Sequence, residues 1–147
     1  MRGHILNAKF LPTNQDFQLL VLRVGTGLTL FLRHGWEKLS KLTLHDPGGP
    51  DPLHIGTTPT WMIQLLSDVV FSLLIVLGVG TRWLAAFCFV NIFVAFALVH
   101  HFVFTGKSPD ADHGELIVQY LIAFAALIIG GPGRYSIDAM LAEKEEK

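Results

Sequence analysis

Apolar residues gather into four stretches along the chain, about 17–35, 61–80, 83–104 and 116–131, with polar, Gly- and Pro-rich segments between them. A membrane-spanning helix needs roughly 17 to 25 residues. The first and fourth stretches are therefore at the short end, and the middle two are comfortable. The connection at Gly80, Thr81 and Arg82 is so tight that the helices it joins must be antiparallel neighbours. The segment KLTLHDPGGPDPLHIGTTPT, placed in an outer loop over 41–60, reads as irregular chain, and TGKSPDADHGE carries turn chemistry at Ser108, Pro109 and Asp110. The fourth stretch ends at GGPGRY, where Pro132 cannot continue a helix. A polar tail over 132–147 follows, helical after Ser136 as N-cap. The pattern predicts an all-α fold: a single membrane domain over 1–147, built as an integral membrane four-helix bundle running up-down-up-down.

Composition agrees with the lipid bilayer as solvent. The chain is 51% hydrophobic over 147 residues, too apolar for an ordinary soluble domain of that size. A net charge of -1 from 11 basic and 12 acidic residues gives no steering toward nucleic acid, which is excluded as a partner. Arg2, Lys9, Arg82, Arg134, Lys144 and Lys147 fall on the side of the termini, against Arg33, Lys38, Lys41 and Lys107 on the other. The excess places both termini in the cytoplasm of a multi-pass protein of a bacterial or archaeal cell membrane. The N-terminus lacks the apolar run and cleavage site of a removable signal peptide, so the first span serves as its own insertion signal. Cys88 is the only cysteine. Neither an intrachain disulfide nor a CxxC dithiol exists, and any redox chemistry belongs to a bound cofactor or a partner.

The residues that matter are the polar ones at membrane depth. Asp68 lies well inside the second span, where an ionised Asp costs about 2.5 to 3.5 kcal/mol and each Leu, Ile, Val or Phe returns roughly 0.3 to 0.6. It is either a structural acid satisfied by a neighbour or part of a ligand or proton site. Arg23 on the first span either reaches toward Asp68 or snorkels to the cytoplasmic interface. Gln64 stands one turn before Asp68, and Asn91 on the third span is a candidate for interhelical hydrogen bonding. At the outer ends stand His34, Glu37, Lys38, His100, His101, His113 and Glu115, which meet at one mouth above Asp68 if the up-down topology holds. Such a gathering suits a polar head group or proton transfer, and is also what accumulates wherever helices leave a membrane.

Other chemistries find little support. Neither helical acid has the His three residues on that a di-iron carboxylate bundle needs. Haem would have to be held by His34 with His100 or His101, which is a weak signal at an interface. Cys88, between Phe87 and Phe89, is a poor reactive thiolate. His45, Asp46, Asp51 and His54 match no metal-binding spacing, so no metal is assigned. No phosphate-cradling or dinucleotide-binding glycine loop is present.

Three stretches together resemble the DoxX family. LRVGTGLTLFLRHGWEKL is similar to its opening signature, QLLSDVVFSLLIVLGVGTRWLAA to its acid-containing helix with a tight Gly-Thr-Arg turn, and HGELIVQYLIAFAALIIGGPGRYSIDAML to its closing segment. The resemblance implies a four-helix membrane protein of a group that includes small subunits of quinone-linked oxidoreductases acting on thiosulfate, and proteins of oxidative-stress responses. By position, Arg23, Gly27, His34, Gly35, Lys38, Asp68, Glu115, Gly131, Pro132, Gly133, Ser136 and Asp138 fill family-typical places. This chain departs in the second helix, where Asp68 replaces a Glu, and Phe71 and Ser72 follow in place of a Gly pair. A shorter acid with bulkier neighbours predicts a tighter pocket.

Two readings follow. The first is a non-catalytic membrane subunit or accessory of a redox system, not an enzyme alone. It would have no covalently bound cofactor, a redox partner protein, and a polar pocket of Asp68, Gln64, Arg23, His34, Lys38, Asn91, His100, His101 and Glu115 that admits a quinone. The second is a small transporter or structural membrane protein without redox role, in which Arg23, Asp68 and Asn91 only hold helices together. Either admits homo-oligomers.

Overall fold

The computed structural model describes residues 14–42, 49–104 and 114–145. His45, Asp46, Lys107, Ser108, Pro109, Asp110 and His113, together with Arg2, Lys9 and Lys147, lie outside the described residues. Among the described residues the fold is all helical. Helix α1 runs Gln15–Leu30, widens into a π-helical stretch at Phe31–Gly35 and closes as Trp36–Ser40. Helix α2 comprises Thr57–Leu65, a π-helical Leu66–Phe71 and Ser72–Leu77. Helix α3 is Thr81–Val94 with a π-helical end at Ala95–Val99, α4 is Gly114–Gly130, and α5 is Ile137–Glu145.

The elements start and stop for local reasons. Asn14 caps α1, its side-chain oxygen accepting from the backbone N–H groups of Asp16 and Phe17 at 3.0 and 3.2 Å. Gly78 ends α2 at φ 77°, where a Cβ would also run into the Arg23 guanidinium and Ser136. Ser136 caps α5 by accepting from Ala139 N–H at 3.1 Å. The helical boundaries differ from the hydropathy pattern at the opposite end of the molecule. There α1 continues to Ser40 and α2 begins at Thr57. Asp51 makes the earlier start of α2 workable: its carboxylate accepts from Thr60 Oγ1 at 2.8 Å and from the N–H groups of Gly56 and Ile55 at 2.7 and 3.2 Å. These bonds, that from Thr60 foremost, hold its carboxyl below the usual carboxylate value.

Helices α1 to α4 share one core of Leu30, Ile75, Ala85, Cys88, Tyr120, Phe124 and Leu127. The most extensive packing is α3 on α4, followed by α1 on the second half of α2. Glycines let α1 and α2 touch: a Cβ on Gly27 would stand 2.6 Å from Val76 Cγ2 and 2.7 Å from the Ser72 carbonyl, and one on Gly35 2.5 Å from the Asp68 carbonyl. Contacts also show which ends meet. The start of α1 lies by the end of α4, where Leu19 packs on Gly130 and Gly133, and the start of α3 joins them through Arg82, which donates to the Ile129 carbonyl at 3.3 Å.

Among the described residues two helices are long and apolar enough to cross a membrane, Thr57–Leu77 and Thr81–Val99. Only 28% and 17% of their apolar windows are buried. A core helix of a water-soluble protein would be mostly buried. Instead Leu66, Val70, Leu77, Phe87, Val90 and Phe93 face outward. By the same measure α4 is shorter.

The α1–α2 contact predicts the behaviour of its glycines. Gly27→Val overpacks the seam and lowers stability by about 1–3 kcal/mol, read as a fall in the thermal midpoint in detergent. Gly25→Ala, which meets nothing within 4 Å, leaves the midpoint unchanged or raises it.

Candidate functional site

The charges on α1 solve two separate problems at its two ends. Arg23 is 1% exposed and stands at the end where α1 begins. Its guanidinium donates to the carbonyls of Pro132 at 2.6 Å and Tyr135 at 2.5 Å. It thus pins the reversal after α4 against α1, a job for the two-pronged donor geometry of Arg rather than the point charge of Lys. Around it the closing motif forms a knot. Asp138 accepts from the N–H groups of Gly80 and Thr81 at 2.8 and 3.1 Å and donates its own N–H to the Gly78 carbonyl at 3.0 Å. Ser136 donates to the Gly133 carbonyl at 2.6 Å, and Asp16 accepts from Arg134 N–H at 2.9 Å. Gly131, Pro132, Gly133, Ser136 and Asp138 thereby close this end of the molecule.

Arg23 consequently neither pairs with Asp68 nor snorkels. Asp68 belongs to the opposite half of the molecule, where Lys38 donates to its Oδ2 at 2.6 Å. The pair is largely buried, with side chains 17% and 9% exposed. Depth decides the partner. In α1 the cation at the same level as Asp68 is the one near the end of the helix.

Above this pair a cavity of about 240 Å³ opens between α1, α2, α3 and α4. Asp68, Gln64, His34, Lys38, Asn91 and His100 all border it, with Leu30, Ile63, Ile92, Val99 and Ile117 as apolar wall. Pro50, Pro52, Leu53 and Ile55 of the segment before α2 cover one side. Each of the three π-helical stretches contributes: His34 from the first, Asp68 from the second, Ala95 and Val99 from the third. A π-helical turn carries an extra residue per turn and is frequent at functional sites. Here it widens three helices around one space.

Two expected members stand apart. His101 is exposed, because the chain leaves α3 through a left-handed turn at His101 and Phe102, with φ 48° and 56°. Glu115 is exposed at the start of α4, roughly 200° around the helix from Ile117 and therefore off the inward face. One member had no place among the candidates. Tyr120 borders the cavity at 7% exposure, sets its ring edge-on to His34 with centroids 6.3 Å apart, and has a buried hydroxyl without a hydrogen-bond partner. A buried donor left unpaired costs about 1–3 kcal/mol. The signal was a Tyr on the apolar face of α4 in register with Ile117 and Phe124, where an interfacial aromatic would not stand.

The chemistry on offer is modest. Among the described residues no three His, Cys, Asp or Glu side chains converge as a metal site. Cys88 is buried against Ser67, its Sγ accepting from the Ser67 hydroxyl at 3.6 Å. What the cavity presents is hydrogen-bonding groups in an apolar chamber, with the Lys38–Asp68 pair internally neutralised.

A small helical protein with two membrane-crossing candidates and a polar chamber between its helices is the class that fold and site define. Residues 18–101, more than half of the chain, match the DoxX family, and the chain belongs to it. The family is membrane-associated. An uncharacterized protein of Haemophilus influenzae is similar at 27% identity over 119 residues, 78% of this chain and 84% of the relative. No solved structure matches.

The ion pair yields a double-mutant prediction. Lys38→Met strands the Asp68 carboxylate and lowers unfolding stability by about 3 kcal/mol, whereas adding Asp68→Asn restores much of the loss. Chemical denaturation of the two singles and the double checks it, and additive losses would contradict the coupling.

Proposed function

We propose that this protein is an integral membrane four-helix bundle crossing up-down-up-down, with both termini in the cytoplasm and the cavity opening outward. In this reading it serves as a non-catalytic subunit or accessory of a quinone-linked redox or oxidative-stress system, and the cavity takes a quinone head group. The membrane arrangement draws on the outward-facing apolar surfaces of α2 and α3, which a bilayer solvates and water does not. It draws also on exposed tryptophans toward both ends, Trp36 at 64% and Trp83 at 84%.

The observation that carries the head-group reading is the buried, unpartnered hydroxyl of Tyr120 beside a charge-neutral chamber. With Lys38 spent on Asp68, no further Lys or Arg among the described residues borders the chamber to recompense an anion for its lost hydration. A neutral ring bearing carbonyl oxygens fits better. The Tyr120 hydroxyl and the Asn91 and Gln64 amides are donors to such oxygens, His34 can donate or accept, and the apolar wall sheathes the ring. A quinone, when bound, supplies two-electron redox chemistry. The chain's own residues bind it, orient it and keep water from its faces.

Photolabelling with a ring-azido benzoquinone tests this reading. The expected result is labelling at His34, Asn91 or Tyr120 that excess unlabelled quinone suppresses and that Tyr120→Phe weakens several-fold. Labelling spread over the lipid-facing surface, with no protection, would contradict it.

A further inference from the structure

A second cavity adjoins the first. Along the seam of α1 and α4 a more open groove of about 370 Å³ is bordered by Leu22, Gly25, Thr29, Leu116, Tyr120 and Ala123. Tyr120 borders both the chamber and the groove. Between Val21 and Thr29, both on its lining, α1 rises about 12 Å at 1.5 Å per residue.

Gly25 gives the groove its depth. A Cβ added to Gly27, two residues on, would collide with α2, which accounts for glycine there by packing within the chain. A Cβ added to Gly25 would meet nothing within 4 Å. Glycine in a helix interior costs about 0.5–1 kcal/mol relative to Ala, and no contact with the described residues at Gly25 asks for it. What it leaves is open space in the floor of the groove. Thr29 adds no free polar group there, since its hydroxyl donates to the Gly25 carbonyl.

We propose that the α1–α4 groove holds the isoprenoid chain of the quinone whose head occupies the chamber, and that the head passes sideways from the bilayer past Tyr120. This rests on the head-group reading and adds to it the route of entry and the requirement for a tailed, lipid-soluble ligand. The shared Tyr120 wall supplies continuity between head and tail, and the side-chain-free floor at Gly25 supplies the room. A second copy of this chain, docking through Gln119 and the small residues of the groove, is the competing occupant.

The test uses the full chain in lipid nanodiscs and the ring-azido label, displaced either by a tail-less dimethoxy-methyl-benzoquinone or by its decyl counterpart. Gly25→Leu fills the groove from a position where an added Cβ meets nothing within 4 Å, and Ala123→Leu fills it from the other wall. Each variant is expected to weaken displacement by the decyl quinone about tenfold, equivalent to 1.4 kcal/mol, and to leave displacement by the tail-less quinone unchanged. Equal potency of the decyl compound before and after substitution would overturn the proposal. So would parallel loss for both compounds, or a change in oligomeric state by native mass spectrometry with tail dependence intact. Absence of any displaceable labelling in the unaltered protein would overturn the head-group reading, and the tail assignment with it.

Discussion

A charge held where water is excluded must find a counter-charge or hydrogen-bond partners there, and α1 carries two such charges in its two halves. Everything distinctive in the molecule follows from how they are satisfied. Arg23 takes backbone carbonyls at Pro132 and Tyr135, and so draws the chain after α4 back over the start of α1. Lys38 takes Asp68, and so ties the far part of α1 to α2. The first arrangement closes one end of the molecule. The second leaves the other end parted around a chamber whose floor is an already neutral pair.

Neutralisation shapes the chemistry. Had Arg23 reached Asp68, Lys38 would stand free at the mouth and the chamber would favour an anion. With Lys38 on Asp68 the remaining groups are a hydroxyl, two amides and imidazoles among apolar walls, which is the equipment for a neutral polar ring. Three of the four helices around that chamber widen locally through a π-helical stretch, while the glycine contacts at Gly27 and Gly35 keep α1 and α2 tightly joined. Close packing on one seam and room on another are both needed for a defined pocket in so small a protein.

Much of this was legible in the sequence. The four apolar stretches, the tight Gly-Thr-Arg turn and the Ser136 cap are local patterns, and local patterns survive into structure. Asp68, Gln64, His34, Lys38, Asn91 and His100 could be gathered because the hydropathy pattern places them toward one end. Pairing was harder. Arg23 has the same charge as Lys38, and only its depth relative to Asp68 tells them apart, which depends on where α1 truly ends. The outward turn at His101 depends on left-handed backbone that His tolerates but does not announce. Glu115 misses the chamber by helical phase, and Tyr120 reaches it for the same reason. The π-helical stretches have no sequence signature, so the local widening of the helices could not be read from the chain.

The proposal on which the functional reading turns is an outward-facing chamber that takes a quinone ring. It is reached most directly by placing a thiol at its rim, as His100→Cys in a Cys88→Ala background, in oriented membrane vesicles. The account predicts modification by a membrane-impermeant methanethiosulfonate added from the outer face alone, slowed several-fold by a tail-less quinone. Modification from the cytoplasmic face, or a rate indifferent to quinone, would contradict it.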